Sequence, residues 1–187
     1  MNKAFFLDRD GTVNVDYNFV HTPEEWTWCG GAIDAIRWMN ENDFKVIVVT
    51  NQSGITRGKY TEEQVHHLHE WVAGCLQQRG AWVDDWYIAP HHPEFDPEPC
   101  RYPKEDRKPG AGMFLKAAEK HQIDFAKSYM AGDKVSDLKP AVELGIKPLF
   151  IRSRHEPNQD KQWLQQYKVP VFDTLRESLR TIQTHCL

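Results

Sequence analysis

The stretch Ala4-Phe5-Phe6-Leu7-Asp8-Arg9-Asp10-Gly11-Thr12 decides the fold. Its first four residues form a short apolar, aromatic run bounded by turn residues, which reads as a buried strand. Two carboxylates one residue apart end that strand. In open α/β sheets the C-terminal ends of strands are where ligands bind. On an extended strand, acids at i and i+2 point to the same side and repel in an apolar site. A divalent cation relieves that conflict, and hard oxygen ligands suit magnesium. One carboxylate is then free to act as a nucleophile and the other to hold or supply a proton. Taken alone, the spacing fits a charged turn equally well, because Asp and Gly are ordinary turn residues.

Outward from this stretch, strand and helix signals alternate. A polar loop from Thr12 to about Gly31 leads into a helical pattern carrying Ala32, Ile36 and Met39. Val46 to Thr50 is β-branched throughout, as expected of a buried parallel strand. The capping box Thr61 to Gln64 opens a second helix, and Val83 to Ala89 reads as a third strand. A proline-rich, aperiodic excursion covers about 90–109. Beyond it come a helix from Gly110 to His121, a strand from Ser128 to Asp133, and a helix from about Asp137 to Leu144. A strand at Pro148 to Ile151 follows, then a short helix at Gln159 to Tyr167 and an edge strand at Val169 to Phe172. A second capping box, Thr174 to Glu177, opens the last helix. Such alternation predicts one Rossmann-like α/β domain over residues 1–187, a parallel sheet with helices on both faces.

Parallel strands place their C-terminal ends at one edge, so four distant polar clusters can converge there. Asp8 is the candidate nucleophile. Thr50 offers a hydroxyl, and Asn51 to Ser53 offer backbone N–H groups suited to a phosphate oxygen. Lys108, before Pro109 at a helix start, offers a cation for charge developing on a phosphoryl group. Asp133 can share a magnesium ion with Asp8, and Asp137 lies one helical turn on.

This order resembles the haloacid dehalogenase superfamily of phosphotransferases. Its four motifs match as Asp8-Arg9-Asp10-Gly11-Thr12, Thr50, Lys108, and Gly132-Asp133-Lys134 with Asp137. Within the superfamily the chain is most similar to the histidinol-phosphate and heptose-bisphosphate phosphatase group. The residues that carry this are Leu7 to Asn14, Thr50 to Gly58, Pro90-His91-His92-Pro93 and Arg107-Lys108-Pro109. The resemblance implies a capless phosphatase with extended loops. It implies Asp8 as nucleophile and Asp10 as general acid, then base. It also implies magnesium held by Asp8, by Asp10 through its main-chain carbonyl, and by Asp133. Substrate contacts are implied from Asp16-Tyr17-Asn18-Phe19, from Asn51, Gln52 and Ser53, and from Arg57, Arg107 and Lys134. The substrate implied is a small phosphorylated sugar, first the 7-phosphate of glycero-manno-heptose 1,7-bisphosphate, with histidinol phosphate as the alternative. A phosphate-binding domain without turnover, or transfer to another acceptor, are the rival readings.

Members of this group often hold a structural zinc through Cys-x-His and Cys-x-Cys pairs. Here those positions are Ala89 with His91, and Lys104 with Asp106. Zinc in a closed site needs about four N or S ligands. His91, His92 and Cys100 offer three at a different spacing, so the expectation is no zinc.

Composition sets outer bounds. The chain has 187 residues, 40% hydrophobic and 27% charged, with a net charge of −4. That is ordinary for a globular domain and disfavours general nucleic-acid or acidic-membrane binding. No apolar stretch reaches the roughly 18 residues of a membrane span. Met1-Asn2-Lys3 runs straight into the first strand with no signal-peptide pattern. Cys29, Cys75, Cys100 and Cys186 are scattered, which predicts free thiols and a cytoplasmic protein. A monomer is expected.

Overall fold

A computed structural model describes residues 1–97, 99, 101–153 and 158–183. The order is β1 (Lys3–Leu7), α1 (Ala32–Glu41), β2 (Phe44–Asn51), α2 (Glu62–Gln77), β3 (Asp85–Ala89) and α3 (Gly112–His121), followed by β4 (Tyr129–Gly132), α4 (Val135–Glu143), β5 (Lys147–Ile151), α5 (Asn158–Gln166), β6 (Val171–Phe172) and α6 (Leu175–Gln183). The strands form one parallel sheet in the order β3-β2-β1-β4-β5-β6. The first strand is central: Phe5 lies opposite Val46 on one side and Tyr129 on the other.

Alternation along β1 divides the core in two. Phe5 and Leu7 face a cluster built with Ile36, Met39, Leu68 and Leu179, from α1, α2 and α6. Ala4 and Phe6 face the opposite cluster, with Met113, Phe114, Leu138 and Leu164 from α3, α4 and α5. Both faces of the sheet are therefore covered, and the strands read as continuous apolar runs for that reason.

Several boundaries differ from expectation by one or two residues, β6 among them, which pairs only at Val171–Phe172, and three shifts have a clear local cause. Ladder pairing of β3 starts at Asp85 rather than Val83, because Asp84 turns its carboxylate onto the Val46 N–H and Lys45 Nζ, each at 2.8 Å. The third helix starts at Gly112 rather than Gly110, whose N–H closes a turn onto the Arg107 carbonyl at 2.6 Å. Meanwhile α4 starts two residues before Asp137, whose carboxylate accepts the Lys134 N–H at 3.0 Å and so caps the helix from inside its first turn. The 90–109 excursion holds a single 3-10 turn among its described residues, Lys104–Asp106. No helix of the described residues is long and apolar enough to cross a membrane. Cys29 and Cys75 are free thiols, while Cys100 and Cys186 lie outside the described residues.

Candidate active site

The end of β1 fixes Asp8. Its N–H donates to the Ala131 carbonyl at 2.9 Å, extending the pairing with β4 by one residue and aiming the side chain over the sheet edge. Lys108 reaches it from the loop before α3. The buried Nζ lies 2.6 Å from Asp8 Oδ1, 2.7 Å from the Val49 carbonyl and 2.8 Å from Asp137 Oδ1. Asn51 sets the Lys108 backbone, accepting its N–H at 2.9 Å and donating to its carbonyl at 3.0 Å. The Asn51 side chain is thus committed to holding Lys108.

Asp8, Asp133 and Asp137 bring carboxylate oxygens within 4.8 Å of one another. Asp133 is fully buried, and neither of its oxygens meets a hydrogen-bond partner of ordinary geometry, although the nearby Ser153 hydroxyl works to lower its pKa. Burial, then the charges of Asp8 and Asp137, push the Asp133 pKa up to about 8. Burial and the Asp137 charge push Asp8 up to about 6, against the pull of Lys108 and Lys134. For Lys108, burial alone would lower the pKa, but Asp137 and Asp8 outweigh it and the ammonium is held above its usual range. Gly11, at φ 95°, crosses close above this cluster, and a Cβ there would collide with the Asp133 carboxylate. A crowded, under-neutralised set of hard oxygens around an orphaned carboxylate fits a divalent cation such as magnesium.

Asp10 is held quite differently. The chain bends at Arg9 instead of continuing as a strand, and the expected repulsion between the two motif acids is absent. Asp10 Oδ1 accepts from Arg9 Nη2 at 2.9 Å and Asn14 Nδ2 at 3.0 Å. Its Oδ2 accepts from Arg9 Nε at 3.1 Å and Gln52 Nε2 at 3.0 Å. Burial would raise the Asp10 pKa, but the arginine charge and these donors together lower it. Gln52 also donates to Thr50 Oγ1 at 2.9 Å and accepts from Tyr60 at 2.6 Å, so its side chain supports the site from below.

Above these groups opens a cavity of about 520 Å³. Asp8, Asp10, Thr50 and Lys108 line its floor, and Asn51, Gln52 and Ser53 one wall. Asp16, Asn18, Phe19, Arg107 and Lys134 complete the rim. Lys134 Nζ faces Asp16 Oδ2 at 3.5 Å, and Arg107 Nη1 donates to the His91 carbonyl at 3.1 Å. Two expected contacts lie off the cavity wall. Tyr17 is nearly half exposed. Arg57 stacks over the Phe95 ring at 4.3 Å and meets His92 Nε2 at 2.9 Å. Tyr60 and Ser136 line the cavity without having been singled out in the sequence. Arg9 was likewise passed over, although a residue lodged between two site acids is itself a signal. His69, on α2, is buried beneath Arg9.

In the excursion, Ala89 ends β3, while Lys104 and Asp106 sit in the 3-10 turn. His91 Nδ1 meets Asp96 Oδ2 at 2.5 Å, and Asp96 Oδ1 accepts the His92 N–H at 3.1 Å.

An acid at the end of the central strand, paired with a buried lysine beside two further carboxylates on a parallel sheet, defines a phosphatase of the haloacid dehalogenase class. The family model described as polynucleotide kinase 3 phosphatase matches residues 3–171. A D-glycero-beta-D-manno-heptose-1,7-bisphosphate 7-phosphatase from Escherichia coli K12 is 46% identical over 143 residues, 76% of this chain and 75% of that protein. The protein of the same name from Haemophilus influenzae is 44% identical over 79% of each chain. A solved D,D-heptose 1,7-bisphosphate phosphatase from B. bronchiseptica, complexed with magnesium and phosphate, superposes with a TM-score of 0.82 at 30% identity, over 98% of this chain and 99% of that one. The chain belongs to the heptose-bisphosphate phosphatase family of the haloacid dehalogenase superfamily.

Proposed function

We propose that this chain is a magnesium-dependent phosphomonoesterase that removes the 7-phosphate of D-glycero-D-manno-heptose 1,7-bisphosphate through an aspartyl-phosphate intermediate. The observation that carries the chemistry is the Lys108 ammonium 2.6 Å from Asp8 Oδ1, beside the orphaned Asp133 carboxylate. The substrate reading rests on the names of the relatives reported above.

In this reading an Asp8 oxygen attacks phosphorus in line, the bond from phosphorus to the sugar O7 breaks, and Asp10 delivers a proton to that oxygen. Asp10 then takes a proton from water, whose oxygen attacks phosphorus and returns Asp8 with inorganic phosphate. Lys108 and the Thr50 hydroxyl stabilise the non-bridging oxygens throughout. Asp8 and Asp133, with the Asp10 carbonyl, are the ligands for magnesium, which when bound offsets phosphate charge at the attacking acid. Asp137 then serves chiefly to anchor Lys108. Asp16, Asn18 and Phe19, with Arg107 and Lys134, are assigned to the sugar and its second phosphate, since Arg offers a planar fork and Lys a point charge.

The proposal includes a monomeric, cytoplasmic enzyme without structural zinc. The His91–Asp96 pair supports the last point, because His91, the one imidazole at the usual ligand positions, is engaged by a carboxylate. The test is phosphate release from heptose 1,7-bisphosphate and from histidinol phosphate, compared by kcat/KM, with the retained phosphate located by NMR. A higher value for the heptose, leaving the 1-phosphate, supports the reading. Preference for histidinol phosphate overturns the substrate, and release from neither overturns the enzyme.

A further inference from the structure

Arg9 is the largest fully buried side chain among the described residues, and the chemistry above gives it no task. A buried guanidinium is retained only where its donors are met. Here Nε and Nη2 form a fork on the two oxygens of Asp10 at 3.1 and 2.9 Å. The same Nη2 donates to the Val20 carbonyl at 2.6 Å. On the far side Nη1 lies 3.3 Å from His69 Nε2. Arginine can only donate, so Nε2 must be the acceptor and the His69 proton sits on Nδ1. Burial and the neighbouring arginine both favour that neutral ring. The ring in turn stacks on Trp86, centroids 4.2 Å apart, which fixes it between α2 and β3.

We propose that Arg9 is the positioning residue of Asp10, and that His69 locks Arg9 in place. The inference rests on the phosphatase reading and adds to it a reason why the acid/base group keeps one orientation. The residue between the two motif acids is thereby more than a spacer. Its fork sets the plane of the Asp10 carboxylate, and α2 is tied to the chemistry through His69.

The test compares two substrates. Heptose 1,7-bisphosphate expels an alkoxide and needs the Asp10 proton, whereas p-nitrophenyl phosphate expels a stable phenolate and needs Asp10 only for hydrolysis of the aspartyl phosphate. For Arg9→Met the expected result is a fall of about 10²-fold in kcat on the heptose, with KM little changed. On p-nitrophenyl phosphate a burst of one nitrophenolate per enzyme should precede a slow steady state. In an Asp10→Asn background, Arg9→Met should alter the steady-state rate by no more than about twofold. Arg9→Lys should recover little, because it lacks the fork. His69→Phe keeps the stack on Trp86 and loses the acceptor; it should show the same pattern at smaller amplitude. Should Arg9→Met fail to melt cooperatively, His69→Phe decides by the same criteria. Equal losses on both substrates without a burst, or losses that multiply with Asp10→Asn, overturn the proposal. Failure of the phosphatase reading is separate, since the wild-type enzyme would then release phosphate from neither compound.

Discussion

Lys108 Nζ sits between two acids from different elements, 2.6 Å from Asp8 Oδ1 and 2.8 Å from Asp137 Oδ1. Asp133 adds a third carboxylate to the same cluster, and among the described residues no second ammonium is fully buried with them, Lys134 standing half-exposed at the rim. The site therefore carries more negative charge than its own cation can balance. Its pKa shifts, its expected metal and its response to substitution all follow from that imbalance.

Lys108→Met removes the balancing charge. Phosphate release should fall by about 10²–10³-fold, the range seen when one preorganised stabilising donor is lost. Stripping one partner from a buried pair typically costs about 3–5 kcal/mol. The melting temperature should drop and recover in part when Asp137→Asn is added. A near-normal rate for the single variant would exclude the proposed role of Lys108.

The raised acids make stability depend on pH. Asp8 and Asp133 bind protons more tightly folded, at about 6 and about 8, than at their ordinary 3.8. Where the native state holds more protons than the unfolded chain, stability falls as pH rises. Without metal, the melting temperature should decline from about pH 4 through about pH 8. Asp10 acts in the opposite sense, its lowered pKa adding stability above about pH 4 that is lost in acid. Magnesium should raise the melting temperature, and more so at pH 8 than at pH 5. A magnesium effect independent of pH would separate the metal from these carboxylates.

Asp8→Asn relieves one of the crowded charges while Asp137 still engages Lys108. Turnover should vanish and cooperative melting should persist, with a higher midpoint than wild type at pH 8 in the absence of magnesium. Appreciable phosphate release by this variant would remove Asp8 as the nucleophile.

The layout of the sheet was legible because its strands are buried on both faces and read as plain apolar runs, and because Thr61 and Thr174 announce helix starts. The convergence of Asp8, Thr50, Lys108 and Asp133 was legible because parallel strands put their ends at one edge. Side-chain pairing was not. Nothing in the spacing shows that the chain bends at Arg9 and lets neighbouring residues pair, that Asn51 and Gln52 spend their amides on Lys108 and Asp10, or that His69 turns inward while His66 and His67 face solvent. Those outcomes depend on which groups meet across elements, and residue periodicity carries no record of them.

In the excursion, His91 and Asp96 close a short turn, and the His91 carbonyl receives Arg107 from the other end. Asp96→Ala should leave kcat on a small aryl phosphate nearly unchanged while raising KM for the heptose bisphosphate, because Arg107 loses its anchor and not its charge. Elemental analysis of the purified protein should find no stoichiometric zinc. One tightly held zinc per chain would overturn that expectation.

Tyr60 donates to Gln52 Oε1 at 2.6 Å, and Gln52 donates to Asp10, so this phenol reaches the proposed acid/base group through one intermediary. Burial raises its pKa to about 12, so it remains a donor across the working range. Tyr60→Phe should cost about 1 kcal/mol, the usual net worth of one such bond, and lower kcat modestly. Gly54→Ala tests the same contact from the other side, because a Cβ there would run into the Tyr60 ring. Overpacking of this kind typically costs about 1–3 kcal/mol, and the displaced phenol should release Gln52 as well. The two substitutions combined should therefore lower kcat no further than Gly54→Ala alone. If their effects on kcat multiply, Gly54 and Tyr60 act on Asp10 by separate routes.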